Sequence, residues 1–452
     1  MARWRTQVWP APKHEERPGG LLGFCVSAVV VGVLTGLMSA TFRIALDSAG
    51  ELRGTLIAWA HGAVGGLLLV MALCAAATAA AAALVHRIEP HAEGSGIPRV
   101  EAVVAGRTAP GSPLIFIVKY VGGLLAIGSG LALGREGPSV QMGGNIGIIV
   151  GRLTRRNLYD LRILIAAGAA AGLATAFNAP IAGGVFVLEE LVRRFDPRAT
   201  TATLLASAAG FGSASLVLGG TTAIFRVAGP LDAAGFRDIP AVAVVGLVTG
   251  FLGVLYNRAV MAGQHWVDTS RLPRELRAAI IGASVGALGF YAPTLVGGGD
   301  GLTQDALLAS GTLGVIAAVF ALRFVLGVVS YAAATPGGLF APMLVLGSQL
   351  GLMVGLVGQA IAPDWTPQPA ALALIGIAAF FTATVRAPIT GIVLAVELTG
   401  VTSQLPAMLG ACALAMVVAT VCKSEPIYDA LAARAARAAA ANRQETASGT
   451  AG

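Results

Sequence analysis

Apolar residues in this chain gather into long runs, at 21–46, 62–85, 113–133, 162–176, 200–219, 240–256, 278–292, 312–330, 343–361, 369–383 and 386–398. Many approach the length of about 20 residues with which a helix crosses a bilayer. The pattern predicts an all-α polytopic membrane protein, because backbone exposed to lipid must satisfy its own hydrogen bonds and a helix does so within one segment. The segments around 94–106, 134–151, 177–191 and 336–351 are too short or too interrupted by Gly and Pro to be plain spans. They predict broken and tilted helices that end inside the membrane, which is tolerated only where backbone is buried in protein or lines a watery cavity.

Composition agrees with the pattern, since 56% of the 452 residues are hydrophobic and only 12% are charged. The 60 glycines allow close packing between helices. The N-terminal stretch "MARWRTQVWPAPKHEERPGG" is mixed in charge and precedes a run of full spanning length, so it does not read as a cleaved signal. Basic residues before that run, and Lys423, Arg434, Arg437 and Arg443 in the tail, place both termini in the cytoplasm by the positive-inside tendency. The net charge of +7 therefore reads as topology, not as nucleic-acid binding. Cys25, Cys74, Cys412 and Cys422 lack CxxC spacing and His14, His61, His86, His91 and His265 form no ligand pattern, so neither a disulfide framework nor a metal site is expected. No nucleophile-base set or phosphate loop appears, which argues against an enzyme, and no cofactor is expected.

Comparison of the Gly/Pro-rich segments reveals an internal repeat. "FNAPIAGGVFVLEEL" (177–191) matches "VRAPITGIVLAVELT" (385–399), with Ala179, Pro180, Ile181, Gly183, Val185 and Glu189 falling on Ala387, Pro388, Ile389, Gly391, Val393 and Glu397. "GPSVQMGGNIG" (137–147) matches "APMLVLGSQLG" (341–351), with Pro138, Gly143 and Gly147 on Pro342, Gly347 and Gly351. The chain divides into an N-terminal segment (1–20), a first membrane repeat (21–220), a second (230–430) and a short Ala-rich tail (431–452). Duplication within an apolar chain is typical of transporters, whose broken helices meet near the bilayer midplane. The repeat also sorts the acids. Glu189 has a partner in Glu397 and reads as a structural carboxylate that bonds neighbouring backbone, whereas Glu190 falls on Leu398 and Glu136 on Phe340. An unmatched acid at membrane depth is a functional candidate, often part of a proton relay.

Three motifs share one physical purpose: "GSGIP" (Gly94, Ser95, Gly96, Ile97, Pro98), "GREGP" (Gly134, Arg135, Glu136, Gly137, Pro138) and "GGLFAP" (Gly337, Gly338, Leu339, Phe340, Ala341, Pro342). Each carries Gly where backbone must approach something closely and Pro suited to the first turn of a helix. Helix N-termini offer free N–H donors and partial positive charge, which together form an anion site. Arg135 reads equally well as a tuner of the local potential and as an anchor for its loop.

These motifs, with "EPIYDAL" (425–431), resemble those of the CLC family of chloride channels and chloride/proton antiporters, over nearly the whole chain. The resemblance implies a bundle of two inverted repeats, a homodimer with one anion pathway per subunit, and a bacterial inner-membrane protein without the cytoplasmic regulatory domains of larger members. It implies chloride bound by the Ser95 and Tyr428 hydroxyls and by the backbone N–H groups of Leu339 and Phe340. Neutral donors suit a weakly basic anion, because they replace part of its water without trapping it. Glu136 is implied as the gate and the carrier of protons from the outside: ionised it occupies an anion position, protonated it swings aside. Glu190 is implied as the internal proton acid and Glu101 as a nearby support. Lys119, a cation in "FIVKYVGG", reads as a partner for an acid such as Glu101. Chloride/proton exchange is the expected function; a passive chloride channel and a fluoride/proton exchanger are the alternatives. Retention of Glu190 weighs against the first alternative, and Ser95 with Tyr428 against the second.

Overall fold

The computed structural model describes residues 20–220 and 224–449. The expected cytoplasmic N-terminal segment therefore lies almost wholly outside the described residues, as does the Arg443 side chain. The helices are α1 (Leu21–Ala60), α2 (Gly66–Arg87), α3 (Ile97–Val104), α4 (Leu114–Gly128), α5 (Glu136–Leu153) and α6 (Leu158–Phe177). There follow α7 (Pro180–Phe186), α8 (Pro197–Leu218), α9 (Ile239–Thr269), α10 (Arg274–Tyr291), α11 (Asp300–Leu307) and α12 (Leu313–Tyr331). The last are α13 (Phe340–Ile361), α14 (Pro369–Val385), α15 (Pro388–Thr399), α16 (Leu405–Val421) and α17 (Ile427–Gly449). Among the described residues there is no β-strand, only two isolated bridges at the centre of the molecule.

Each apolar run of the sequence falls on a helix, but three boundaries differ from expectation. α1 does not stop near residue 46: it continues through the polar stretch "DSAGELRGT", because a helix leaving the hydrocarbon still satisfies its own backbone. α16 lies outside the apolar runs named above, although its sequence "LPAMLGACALAMVVATV" is apolar throughout. Residues 336–351 do not form a separate half-helix; from Phe340 onward they are the first turns of the 22-residue α13. The short elements expected at 94–106 and 177–191 are present as α3 and as α7 followed by a π-helical turn, Val187–Leu191.

Two helix pairs, α5 with α6 and α13 with α14, form the buried centre, while α1, α2, α9 and α12 turn much of their apolar surface outward, as helices facing lipid do. The repeat is legible in how these pairs touch. A Cβ on Gly143 would collide with the Gly168 carbonyl, and one on Gly147 with the Leu164 carbonyl; the matched Gly347 and Gly351 stand in the same relation to Gly376 and Leu372. Small residues thus let both pairs approach to backbone contact, the usual device of membrane helices.

The repeat also exchanges carboxylates. Glu189 accepts hydrogen bonds from the N–H groups of Ile389 (3.1 Å) and Thr390 (2.8 Å) and from the Thr390 hydroxyl (2.7 Å), at the start of α15. Glu397 accepts from the N–H groups of Ile181 (3.0 Å) and Ala182 (2.6 Å), at the start of α7. Each acid satisfies the orphan donors of the other repeat's helix, and its charge is favourable at that end. Glu189→Gln presents an amide donor to donors and is expected to lower stability by about 1–3 kcal/mol. Thermal unfolding in detergent checks this, with exchange per folded molecule unchanged.

Candidate functional site

The three Gly/Pro motifs, far apart in sequence, are stitched to one another by backbone bonds. Gly134 N–H donates to Gly338 C=O and Gly338 N–H to Gly134 C=O, both at 2.8 Å. Gly94 N–H donates to Thr335 C=O (3.1 Å) and Gly337 N–H to Gly94 C=O (3.0 Å). The "GGLFAP" loop is therefore held between the other two, and the N-termini of α3, α5 and α13 gather around one small volume. Gly137 packs directly on Ser95: a Cβ there would stand 2.6 Å from both the carbonyl and the hydroxyl oxygen of Ser95. Gly94 (φ 62°) and Gly96 (φ 81°) adopt the left-handed conformation that turns the chain into α3, where Ile97 and Pro98 open the helix.

Around that volume the available groups are donors. Ser95 and Tyr428 are buried to within 1% of complete, and neither hydroxyl has a protein hydrogen-bond partner. Leu339 and Phe340 are fully buried at the start of α13, where helix N–H groups have no partner within the helix. Ala341 and Pro342 complete that first turn. The Phe340 ring sits among Phe381 (4.6 Å between centroids), Phe186 (5.3 Å), Phe177 (5.5 Å) and Tyr428 (6.3 Å). Unsatisfied hydroxyls in an apolar frame are costly, and an anion accepting from them removes that cost.

Glu136 is the first residue of α5 and is 2% exposed. Its carboxylate folds back over Gly134, where a Cβ would collide with it. One carboxylate oxygen has no protein partner. Beside it opens a cavity of about 130 Å³ lined by Asp47, Arg53, Gly134, Arg135, Glu136 and Asp300, among others. Of the two readings of Arg135 left open by the sequence, the contacts favour the anchor. Its Nε donates to the Ala176 carbonyl at 3.3 Å, anchoring the loop to the end of α6, and its terminal nitrogens stand 3.9 Å from Asp47 and 3.8 Å from Asp300.

On another flank, Glu190 (4% exposed) projects from the π-turn and Glu101 (2% exposed) from α3. Glu101 is bonded to Arg107, and the Arg193 guanidinium lies 3.7 Å from both acids. The expected Lys119–Glu101 pair does not form. Lys119, fully buried, donates instead to the carbonyls of Ala92 (3.0 Å) and Gly94 (2.6 Å), because α4 places it against the loop entering Ser95 while Glu101 faces the arginines. Three neighbours of the site escaped the sequence reading. Tyr331 accepts the Ser95 N–H on its hydroxyl (3.4 Å), and Arg193 and Asp429 join the acids. Asp429 directly follows Tyr428 and Arg193 lies three residues beyond Glu190, so proximity to known candidates was the available signal.

A sequence profile described as "Voltage gated chloride channel" matches residues 76–420. The H(+)/Cl(-) exchange transporter ClcA of Vibrio cholerae is 34% identical over 414 residues, 89% of this chain and 88% of its own. That of Cronobacter sakazakii is 35% identical over 442 residues, covering 93% and 92%. Among solved structures, a slow cyanobacterial Cl-/H+ antiporter superposes with a TM-score of 0.87 at 31% identity, over 91% of this chain and 97% of that one. A CLC-type fluoride/proton antiporter, 21% identical with a TM-score of 0.76 over 91% and 98%, shares the fold. The stitched loops, the repeat and these matches agree that the chain belongs to the voltage gated chloride channel family.

Proposed function

We propose that this protein is a secondary active transporter exchanging chloride for protons, with Glu136 as combined anion gate and external proton carrier. The observation that carries the proposal is the placement of Glu136: a buried carboxylate at a helix N-terminus, between a donor-lined anion site and an open cavity. A charge there competes with an anion for the same N–H groups, and a proton on it ends the competition. Glu190 supplies the internal proton acid, Glu101 its support. Ser95, Tyr428 and the amides of Leu339 and Phe340 bind the anion. Lys119 serves the site by holding the Ser95 loop, not by carrying protons. The names of the relatives support exchange over a passive channel.

The unit is a homodimer with one pathway per subunit, in a bacterial inner membrane with both termini cytoplasmic, and its repeats run over 21–220 and 230–430. The decisive experiment is reconstitution into liposomes with a chloride gradient and a pH probe. Protons moving uphill at the expense of chloride support the proposal. Chloride flux without proton movement establishes the channel, and preference for fluoride establishes the fluoride exchanger.

Tyr428→Ala removes one hydroxyl donor but leaves the helix N-termini in place. Halide affinity is expected to fall about tenfold, the worth of one hydrogen bond of about 1.4 kcal/mol to a charged partner. Calorimetric titration with chloride checks this, and unchanged affinity places Tyr428 outside the site.

A further inference from the structure

Arg193 is given no task by the mechanism above, yet its guanidinium stands beside three acids, Glu101, Glu190 and Asp429. It follows the π-turn in a left-handed conformation (φ 55°), in which the Cβ of a residue other than glycine crowds the following carbonyl oxygen, and its side chain is 47% exposed. Its guanidinium is hydrogen-bonded to Asp429, and its Nε donates to the backbone carbonyl of Glu190 at 3.0 Å. The carboxylate of Glu190 is also near, with Oε1 at 3.7 Å, but that oxygen is buried and has no hydrogen-bond partner. Arg193 thus stands within ion-pair reach of Glu190 while spending its hydrogen bonds elsewhere.

We propose that Asp429 holds the Arg193 guanidinium off the Glu190 carboxylate, so that Glu190 feels a cation without being locked to it, and that α17 thereby participates in the internal proton step. The inference rests on Glu190 being the internal proton acid. A carboxylate hydrogen-bonded to a guanidinium is held ionised, whereas a group that takes up and releases a proton in every cycle must remain able to do both. Asp429 is adjacent to Tyr428, so the same helix that presents a hydroxyl to the anion site would set the proton affinity of the acid. The charged and titratable groups facing Glu190 are Arg193 and Glu189 from its own segment, Glu101 from α3, and Asp429 and Tyr428 from α17. Glu189 is occupied by α15, and Glu101 also by Arg107. From α6 and α8, which pack on the turn, the pair Asp160 and Arg198 is bonded to itself (2.9 and 3.1 Å).

The test uses the full chain in liposomes, reading chloride-driven proton flux as pH is stepped on the Glu190 side. Asp429→Asn releases Arg193 to bond Glu190, and the pH of half-maximal proton flux should fall by about one unit. Arg193→Gln removes the cation, and the same midpoint should rise by about one unit. Asp429→Glu keeps the charge and should retain the wild-type profile, which separates loss of the charge from loss of folding. In the Arg193→Gln background, Asp429→Asn should shift the midpoint much less than it does alone. An equal shift in both backgrounds means a direct charge effect and overturns the proposal, as does an unmoved Asp429→Asn profile. Should Glu190→Gln leave proton flux intact, the assignment of Glu190 itself fails, whatever the pair does.

Discussion

Glu136→Gln is expected to abolish chloride-driven proton movement and to leave a chloride flux that no longer varies with pH. The glutamine keeps the shape of the protonated acid but carries no charge to compete for the N–H groups at the start of α5 and α13, and it has no proton to deliver. If Glu136 is the gate, protonation removes the competing charge in the wild type and anion flux should rise as pH falls, whereas the variant mimics the protonated form and should give a flat profile. A purely structural Glu136, holding its own loop, predicts poor folding and loss of both fluxes together. Paired chloride-electrode and pH measurements on a folded variant distinguish the two. Proton pumping that survives the substitution removes Glu136 from the mechanism, since no other acid belongs to the three stitched motifs.

Glu190→Gln is expected to have an equally large effect on one flux and little on the other: proton transport should be lost while chloride movement continues. The amide cannot release and rebind a proton, while the hydroxyl and N–H donors proposed to hold the anion are untouched by the substitution. Its neighbour makes the control, because Glu189, one position away, is committed to the N–H groups of α15 and its substitution acts on stability. The π-turn that carries both acids closes with a Val192 N–H to Val187 C=O bond of 2.8 Å, wider than an α-turn, whereas the matched α15 is regular. Such bulges recur at functional sites. Equal proton flux in wild type and Glu190→Gln dismisses the role.

The sequence by itself determined the membrane class, the helical architecture and the repeat, because these depend on local properties: run lengths, interruptions by Gly and Pro, and recurrence of "AP" and Gly positions. It also separated Glu189 from Glu190 and Glu136 by internal comparison alone, and the family resemblance supplied candidate residues for an anion site. Some local features were still missed. The apolar stretch of α16 and the continuation of α1 past residue 46 were readable but unread.

Only the tertiary structure decided which groups satisfy which. Lys119 looked like a partner for an acid, yet a buried ammonium can equally be satisfied by carbonyls, and those of Ala92 and Gly94 are the ones α4 brings within reach. Arg135 offered two roles that the sequence could not rank; its bond to Ala176 makes it an anchor of its loop, and it stands beside Asp47 and Asp300. Asp429 and Arg193, 236 positions apart, form an ion pair that no spacing announces. Pairings of this kind arise from the crossing of helices far apart in the chain, and hydrogen bonds to carbonyls leave no signature in residue type. That is why the sequence carries the acids and the donors of the pathway, while their partners are a property of the fold.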